Sequence, residues 1–435
     1  MTRLKTALCA ALLCALSACV HTPPIPDFAA AVTSPSLSGT GPASTTVPFQ
    51  LDDNRIFVEV RFVKPDGSER KALAFVNMGA GALTLTNALF RELAPVPGKP
   101  LHMKFGTMDI ATDGAAVQPE GLANNMTISF SAAEPSAAES ARDPGGLMAQ
   151  FADPLPVEAI LPPGLLQHFQ VAYDYAARTM TLAAPGTLKP EGIAVPIRVN
   201  PKTGFAMVDA RIDGGVRTFA IDNGGSYGAI RSAEPFVVRH PDWLRSIGGI
   251  GEANYLMNGA ETDTPVVKLR GVALGPLHLD EVGVVQIGGG GLLMDFVSGL
   301  FWDRIYSAKA GEPVQGWIAG NTLKSFRFTV DYPNRMSYWL QQAPLDTRDL
   351  DQVGITLMHV KGVTTIAGVA QKDGKPALTG VEPGDVVTKI GEMPTAGATR
   401  GALLAALHGT PGEIKHLTLE RDGKSFDVDA PVMAF

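Results

Sequence analysis

The sequence predicts a mainly β protein made of two duplicated lobes followed by a smaller β module. Its 435 residues are enough for about three domains. The 47 glycines and 33 prolines exceed the usual share of these residues and favour many turns between short strands. A strand that runs into a glycine-rich turn occurs twice, in residues 74–81 and 219–226, and a different pattern starts at Gly354. Together these observations indicate two similar lobes and one unrelated module.

The composition excludes several classes of function. Hydrophobic residues make up 45% of the chain, which is enough for ordinary cores. The net charge is −7 and no run of Lys or Arg occurs, so we expect no nucleic-acid partner. The three cysteines are Cys9, Cys14 and Cys19, so the body of the chain has no disulfide, cysteine-based zinc site or catalytic thiol. The histidine spacing indicates no metal site, and we predict no cofactor.

The N-terminus has the pattern of a bacterial export signal. Arg3 and Lys5 precede a short apolar run, and small residues follow that run. Residues 16–19 (LSAC) resemble the bacterial lipobox, which implies a signal peptide over residues 1–18 and a lipid on Cys19. The alternative is an ordinary signal peptide with a chance cysteine. We expect a periplasm-facing lipoprotein of the cell envelope, held to the membrane by its lipid only, and Val20 resembles the outer-membrane sorting pattern.

The segment after this signal has a distinct composition. Residues 19–47 are rich in Pro, Ser, Thr and Ala and show no hydrophobic periodicity. Such a segment cannot bury enough apolar surface to order itself. We therefore predict a lipid-anchored flexible tether that ends at residue 47.

Two motifs recur in the same order in the next part of the chain. Residues 74–81 (AFVNMGAG) pair with residues 219–226 (FAIDNGGS), and an extended segment and a turn precede each of them. Residues 159–169 and 316–326 form a second pair, each of which leads into another short strand. This repeated order indicates a duplication, with a first lobe over residues 48–190 and a second lobe over residues 191–340.

At these motifs the sequence resembles the retropepsin-like aspartic peptidases of the pepsin and retropepsin superfamily. Ile221-Asp222-Asn223-Gly224 is similar to their catalytic turn, and residues 247–251 (IGGIG) are similar to the tip of their flap. The resemblance implies an acid-protease fold, a cleft for extended polypeptides and a catalytic role for Asp222. It also implies substrate contacts from the turns and the flap, at Gly79, Gly224, Ser226, Ile247, Gly248, Gly249, Ile250 and Gly251.

The first lobe departs from this pattern at its catalytic position. An aspartic peptidase uses two facing carboxyl groups that share one proton, so that one acts as base and the other as acid. Asn77 stands where the second aspartate is expected. An amide can hold a water molecule, but it cannot carry the shared proton. The pair Asp222 and Asn77 therefore predicts weak or absent hydrolysis.

The C-terminal part has a third pattern. After a polar linker over residues 341–352, residues 353–435 resemble a bacterial PDZ domain, a small β barrel with two helices. A PDZ domain takes an extended peptide as an added strand at the edge of its sheet. The resemblance implies that peptide C-termini bind along Gly354, Ile355, Thr356 and Leu357.

A competing site lies in the second glycine-rich turn. Residues 224–228 (GGSYG) match the G-x-S-x-G elbow of serine hydrolases, with Ser226 as the nucleophile. Such an elbow opens a long helix, yet Pro235 interrupts the following segment early. A serine hydrolase is therefore a remote alternative.

Two functions remain open from the sequence. The first is an aspartic endopeptidase of the cell envelope that acts on extended or unfolded polypeptides and recruits peptide tails through the PDZ domain. The second is a catalytically silent lipoprotein that binds such polypeptides. The intact Asp222 and the flap motif favour the first, and Asn77 favours the second.

Overall fold

The computed structural model describes most of the chain after the N-terminal region. The predicted signal peptide and Cys19 lie outside the described residues. The described residues are 35–37, 42–80, 83–95, 100–112, 118–119, 130–131, 154–252, 262–287, 302, 306–360 and 362–435.

The first lobe is formed by short strands whose apolar side chains face one shared core. The strand at residues 44–52 alternates buried and exposed positions, as a half-buried strand does. A separate short strand, β1 (Pro35–Leu37), pairs with the outer hairpin of this lobe. The elements of the lobe are β2 (Ser44–Asp52), β3 (Arg55–Val63), β4 (Glu69–Val76), β5 (Thr84–Leu85), α1 (Asn87–Leu93), β6 (Leu101–Phe105), β7 (Met108–Thr112), β8 (Gln118–Pro119), β9 (Phe130–Ser131), β10 (Val157–Leu161), α2 (Pro163–Leu166), β11 (Gln170–Asp174) and β12 (Thr179–Ala183).

The second lobe repeats this order, and a short helix lies before its closing strand. A single turn of 3-10 helix, Pro241–Trp243, follows its longest helix. The elements are β13 (Ile193–Pro196), β14 (Arg198–Val199), β15 (Ala206–Ile212), β16 (Gly215–Ile221), β17 (Gly228–Ile230), α3 (Glu234–Arg239), β18 (Leu244–Ile247), β19 (Gly251–Glu252), β20 (Pro265–Leu274), β21 (Leu277–Gln286), α4 (Ala308–Ala310), β22 (Gly316–Ile318), α5 (Gly320–Leu323), β23 (Phe326–Asp331) and β24 (Met336–Gln341).

The duplication is visible in the strand pairing. In the first lobe β10 runs parallel to β4 and antiparallel to β5. In the second lobe β22 runs parallel to β16 and antiparallel to β17. The two glycine-rich turns follow β4 and β16, so each turn leaves the sheet at an equivalent point. The predicted duplication therefore appears as the same local topology in both lobes.

A central antiparallel sheet joins the two lobes. Its strand order is β2, β12, β11, β23, β24 and β13, so each lobe contributes three strands in mirrored order. The junction is the pair β11 and β23, where Gln170 lies opposite Asp331. The Gln170 amide donates a buried hydrogen bond of 2.7 Å to the Asp331 carboxylate. Because one apolar core extends through both lobes, their glycine-rich turns are held in fixed relation.

The remaining residues form the C-terminal module, residues 352–435. Its sheet has a separate apolar core, onto which Leu403 and Leu407 of the helix pack. The Thr399 hydroxyl caps this helix by accepting from the Ala402 N–H. The elements are β25 (Ile355–Val360), β26 (Val363–Val369), β27 (Gln371–Lys372), β28 (Lys375–Pro376), β29 (Val386–Ile390), β30 (Met393–Pro394), α6 (Arg400–Leu407), β31 (Ile414–Arg421) and β32 (Lys424–Pro431).

The predicted mainly β class is confirmed, since most of the named elements are strands. Three details differ from the prediction. Strand β1 and the start of β2 lie inside the predicted tether, because residues 35–37 pair with β7 and residues 44–48 pair with β12. The predicted linker is packed at its end, where Leu350 and Gln352 are buried. Within residues 352–360 and 362–435 the module has one α-helix, whereas two were predicted.

None of the helices among the described residues has both the length and the apolar character that a membrane crossing requires.

Candidate functional site

The two glycine-rich turns place Asn77 and Asp222 in equivalent positions. The Asn77 N–H donates to the Leu161 carbonyl oxygen at 3.1 Å, and the Asp222 N–H donates to the Ile318 carbonyl oxygen at 2.9 Å. Each side chain then accepts from the N–H two residues later. The distances from Asn77 Oδ1 to the N–H nitrogen of Gly79 and from Asp222 Oδ1 to that of Gly224 are both 2.8 Å. The amide and the carboxylate therefore sit on the same backbone frame.

The two turns face each other across the junction of the lobes. A Cβ atom built on Gly79 would lie 2.1 Å from Asp222 Oδ2, and one on Gly224 would lie 2.1 Å from Asn77 Oδ1. Each side chain thus lies against the glycine of the opposite turn. Glycine is needed at both positions because no other residue leaves room for this approach.

A buried hydrogen bond joins the two turns, and only the turn of the second lobe supplies a side chain to it. Asn223 Oδ1 accepts from the Met78 N–H at 2.9 Å, and Asn223 is fully buried. The equivalent residue in the first lobe is Met78, whose apolar side chain lies in the core and cannot return this bond. The connection between the turns is therefore asymmetric, like the pair of residues it supports.

Two residues of the second lobe contact the Asp222 carboxylate region. The Tyr306 hydroxyl donates to Asp222 Oδ2, and the Lys309 ammonium donates to the Gly79 carbonyl oxygen at 2.9 Å. Burial raises the pKa of Asp222, against the opposing effects of the Tyr306 hydroxyl, the Gly224 N–H and the Lys309 charge. Burial also raises the pKa of Tyr306, which keeps the hydroxyl protonated as a donor. Each carboxylate oxygen of Asp222 thus already accepts a hydrogen bond, Oδ1 from the Gly224 N–H and Oδ2 from the Tyr306 hydroxyl.

Lys309 is the basic group of this site. Burial lowers its pKa to about 8, whereas the charge of Asp222 acts in the opposite direction. At neutral pH the ammonium form still predominates, because the pKa lies above the ambient pH. A cation near Asp222 favours the ionised carboxylate, which is the opposite of what a proton-sharing carboxyl partner does.

An aromatic cluster positions the Tyr306 hydroxyl. The Tyr306 ring stacks on Trp302 and Trp317, with centroids 5.3 and 4.7 Å away, and Phe205 meets it edge-on. Sequence reasoning missed Tyr306 and Lys309, because the segment that carries them follows β21 and belongs to neither repeated motif. Their chemistry becomes visible only when the fold brings them to Asp222.

The serine alternative is contradicted by the structure. The turn with Ser226 runs into strand β17, not into the long helix that a nucleophile elbow requires. Ser226 is buried, its backbone carbonyl oxygen accepts from the Asn54 side chain at 3.1 Å, and its hydroxyl lies 3.4 Å from an Arg55 nitrogen. These contacts indicate a structural role between the lobes, so the expected substrate contact of Ser226 has no support.

The predicted flap lies against the C-terminal module. Ile247 pairs with Gln371 of β27, and Gly251 pairs with Thr356 of β25. Gly248, Gly249 and Gly251 all have positive φ angles, between 70° and 86°. Such angles need glycine and give the segment its sharp path. The segment Ile247–Gly251 is therefore held along a second sheet and is not a free hairpin tip.

The predicted peptide-binding strand of the C-terminal module is partly buried in the same contact. Ile355 and Leu357 point into the module core, and Thr356 is fully buried. Gly354 turns the chain into this strand with a φ angle of 77°. The edge of β25 that a ligand peptide would join is occupied at Thr356 and Leu357 by β19.

A cavity of about 420 Å³ lies where the lobes meet the C-terminal module. Asp53, on its wall, is buried beside Arg55, with 3.4 Å between a guanidinium nitrogen and a carboxylate oxygen. Burial raises the pKa of Asp53 to about 6, although Arg55 and Arg400 act against this rise. The cavity is lined by Leu51, Asp52, Asp53, Asn54, Ser226, Tyr227, Ile250, Asn321, Lys324, Asp349, Gly401, Ala402, Leu404, Ala405 and His408.

Within the part of the chain that the structure describes, no group of three or more His, Cys, Asp or Glu side chains could hold a metal ion.

Solved structures with a weak similarity to this chain include two aspartic proteases. A retropepsin-like aspartic protease from Rickettsia conorii is 15% identical, with a TM-score of 0.22, over 35% of this chain and 94% of that one. An aspartic proteinase from Irpex lacteus is 11% identical, with a TM-score of 0.37, over 70% of this chain and 100% of that one. No protein-family model and no curated protein sequence matches. The fold of this chain is therefore defined by the order and register of its own strands.

Proposed function

We propose that this chain is a protein of the bacterial cell envelope that binds extended polypeptides on an acid-protease-like scaffold and hydrolyses them weakly or not at all. The observation that carries this proposal is the position of Asn77. It occupies the frame of a catalytic aspartate and lies against Gly224, opposite Asp222. The scaffold of the pair is retained while one of its two carboxyl groups is replaced.

The chemistry of the pair supports low hydrolytic activity. Attack of water on a peptide carbonyl needs a base to take a proton and an acid to protonate the leaving amine. Asp222 can supply one of these groups, but the Asn77 amide neither accepts nor releases a proton at ordinary pH. Loss of one general acid–base contribution reduces a rate by about 10²–10⁴, and by more where two groups act as a unit.

The contacts of Asp222 also support low hydrolytic activity. Tyr306 donates to Oδ2, and Lys309 places a positive charge nearby. Both oppose the rise that burial causes in the pKa of Asp222, and Tyr306 already occupies Oδ2 as a hydrogen-bond donor. In this role Asp222 anchors the segment that carries α4, and it has less freedom to activate water.

An aspartic endopeptidase remains the second candidate. It is favoured by the intact turn from Asp222 to Gly224, whose hydrogen bond has the same length as its counterpart in the first lobe. A protein with this function would need a water molecule or a second group to do the work of the missing carboxyl.

A binding and cleavage assay separates the two candidates. Unfolded, fluorescein-labelled casein serves as the probe, and the wild-type chain is compared with Asp222→Asn between pH 3.5 and 7. The proposal expects casein to bind both proteins, with release of labelled fragments at the level of the buffer control. Rapid cleavage by the wild type that Asp222→Asn abolishes would establish the endopeptidase instead. Absence of binding by both proteins would refute the polypeptide-binding function.

The envelope location and the recruitment of peptides by a PDZ domain belong to the same proposal. Residues 16–19 support lipidation of Cys19, and residues 353–435 support a module for peptide C-termini. Metabolic labelling with a fatty-acid analogue in a bacterial host tests the first point, because Cys19→Ser removes the acceptor thiol. The label is expected on the wild type and not on the variant. Label on both proteins, or on neither, would contradict a lipid at Cys19.

A further inference from the structure

Two sheets meet where the flap of the second lobe reaches the C-terminal module. The flap segment, residues 249–252, includes β19, which adds to the edge of β25 as a parallel strand. In this register Gly251 lies opposite Thr356, and Glu252 lies opposite Leu357. A second contact at Ile247 and Gln371 joins the neighbouring strands β18 and β27. Part of the second lobe therefore occupies a strand position in the sheet of the module.

Side chains of the module hold the backbone of the flap segment. The Gly249 N–H donates to the Thr356 hydroxyl at 3.1 Å, and the Gln352 amide donates to the Gly249 carbonyl oxygen at 2.7 Å. Gln352 and Thr356 are both fully buried. Buried polar groups that satisfy a backbone N–H and C=O in this way form a specific contact, because leaving these groups unpaired would cost free energy.

The fit also depends on residue size. A Cβ atom on Gly251 would lie 2.4 Å from Leu404 of α6 and 2.8 Å from Gln352, and one on Gly249 would lie 2.5 Å from the Cβ of Ala370. Between these glycines Ile250 is 5% exposed and belongs to the same apolar cluster as Leu350. The position therefore fits a segment with one apolar residue between two glycines, both of which have positive φ angles.

We infer that the flap segment is the resident ligand of the C-terminal module, and that an incoming polypeptide segment with an apolar residue followed by glycine displaces it from the edge of β25. The inference rests on the proposed recruitment of peptides by this module. It adds a specificity for Gly-Ile-Gly-like segments and an intramolecular competitor.

The first test uses hydrogen exchange of the intact chain. Gly251→Val introduces a side chain against Leu404 and Gln352, and it is expected to increase the exchange rates of backbone amides in residues 249–252 and 355–357 at least tenfold. Gly271→Val is the matched control, because Gly271 also has a positive φ angle, of 62°, but has no atom within 4 Å of an added Cβ. Equal exchange in Gly251→Val and the wild type would overturn the inference.

A reversible cross-link gives a second, independent test. A Cβ on Gly368 would lie 2.7 Å from the Cβ of Thr262, and Thr262 follows the flap tip. The pair Thr262→Cys and Gly368→Cys needs a shift of about 1 Å to reach disulfide spacing. No native cysteine follows Cys19, so in a chain that also carries Cys9→Ser, Cys14→Ser and Cys19→Ser the new disulfide is unambiguous.

The probe is a fluorescein-labelled peptide with the sequence of residues 247–252, IGGIGE, followed by fluorescence anisotropy. The reduced protein is expected to bind it at least tenfold more tightly than the oxidised protein, and Gly251→Val more tightly than the wild type. Equal affinities of the oxidised and reduced proteins would overturn the inference. If the oxidised and reduced proteins bind the peptide equally but both bind unfolded casein, the inference fails while the proposed function stands. If no form binds casein but the peptide result holds, the proposed function alone fails.

Discussion

The glycine-rich turns of the two lobes have the same backbone and different chemistry. In both, the first side chain accepts from the N–H two residues later over 2.8 Å, and the preceding strand is joined in parallel to a closing strand. In the second lobe this side chain is a buried carboxylate that contacts Tyr306, and in the first lobe it is an amide. The comparison teaches that the turn is maintained by glycine and by a side-chain oxygen that accepts from the N–H two residues later. An amide and a carboxylate both supply this oxygen, so one can replace the other without loss of the turn.

The largest expected effect tests whether the two turns are equally constrained. Gly79→Ala and Gly224→Ala each place a methyl group about 2 Å from a polar atom of the opposite turn, so each is expected to lower the free energy of unfolding by at least about 3 kcal/mol. Urea denaturation measures this change. Gly215→Ala is the control, since a Cβ there meets only the Ile212 carbonyl oxygen at 3.7 Å. A large loss for one glycine and none for the other would break the equivalence of the turns.

The next prediction concerns the one-sided bond between the lobes. Asn223→Ala removes the buried acceptor of the Met78 N–H and is expected to cost about 1–3 kcal/mol in the free energy of unfolding. Asn334→Ala is the control, because this exposed residue bonds only within the turn between β23 and β24. Equal stability of Asn223→Ala and the wild type would show that the lobes are held without this bond.

Lys309 lies in the second lobe, and its buried ammonium group makes the free energy of unfolding depend on pH. Its pKa is about 8 in the folded chain and 10.5 in the unfolded chain, so between these values only the unfolded state holds the proton. The stability of the wild type should therefore rise with pH in this window, by on the order of 1–3 kcal/mol relative to Lys309→Met. Urea denaturation at pH 7.5, 9 and 10.5 measures the difference. Parallel pH profiles for the two proteins would contradict a buried Lys309.

Asp53 gives the first lobe the opposite dependence, and the smallest effect. Burial raises its pKa from 3.8 to about 6, so between these values the folded state holds a proton that the unfolded state has lost. Stability from this group is complete below pH 3.8 and is lost as the pH rises through 6, by on the order of 1–2 kcal/mol. Asp53→Asn should remove this loss, and asparagine tolerates the φ angle of 48° at this position. The midpoint temperature of thermal unfolding is measured at pH 4 and at pH 7 for the wild type and for Asp53→Asn. If the midpoint changes by the same amount between these pH values in both proteins, the raised pKa of Asp53 is refuted.

The equivalent positions of Asn77 and Asp222 could be predicted from the sequence, because the residues that determine each turn are close together in the chain. Asn77 and Asp222 each follow an apolar strand and precede a glycine, and the repeated motif alone places them in equivalent turns. Tyr306 could not be predicted in the same way, because its contact with Asp222 joins residues 84 positions apart in the chain and no motif links them. A short-range pattern carries no information about such a contact.

The predictions of a tether and a linker, which were based on composition, were partly wrong. Residues 44–47 are rich in threonine and lack an obvious apolar pattern, yet they pair with β12, a strand far along the chain. Gln352 is polar, yet it is fully buried because it binds the backbone of Gly249. In both cases a distant partner satisfies the backbone or the polar side chain. Local composition therefore underestimated the ordered part of the chain.

The most direct measurement is the rate of peptide hydrolysis after the missing carboxyl has been restored. Asn77→Asp supplies the second carboxyl on an unchanged backbone frame, and Tyr306→Phe frees Asp222 Oδ2 while it keeps the stacked ring. At pH 4 the double variant should cleave unfolded casein at least about 10² times faster than the wild type, and addition of Asp222→Asn should abolish the gain. A wild type that cleaves as fast as the double variant would contradict the account, because the lost carboxyl would then not limit catalysis.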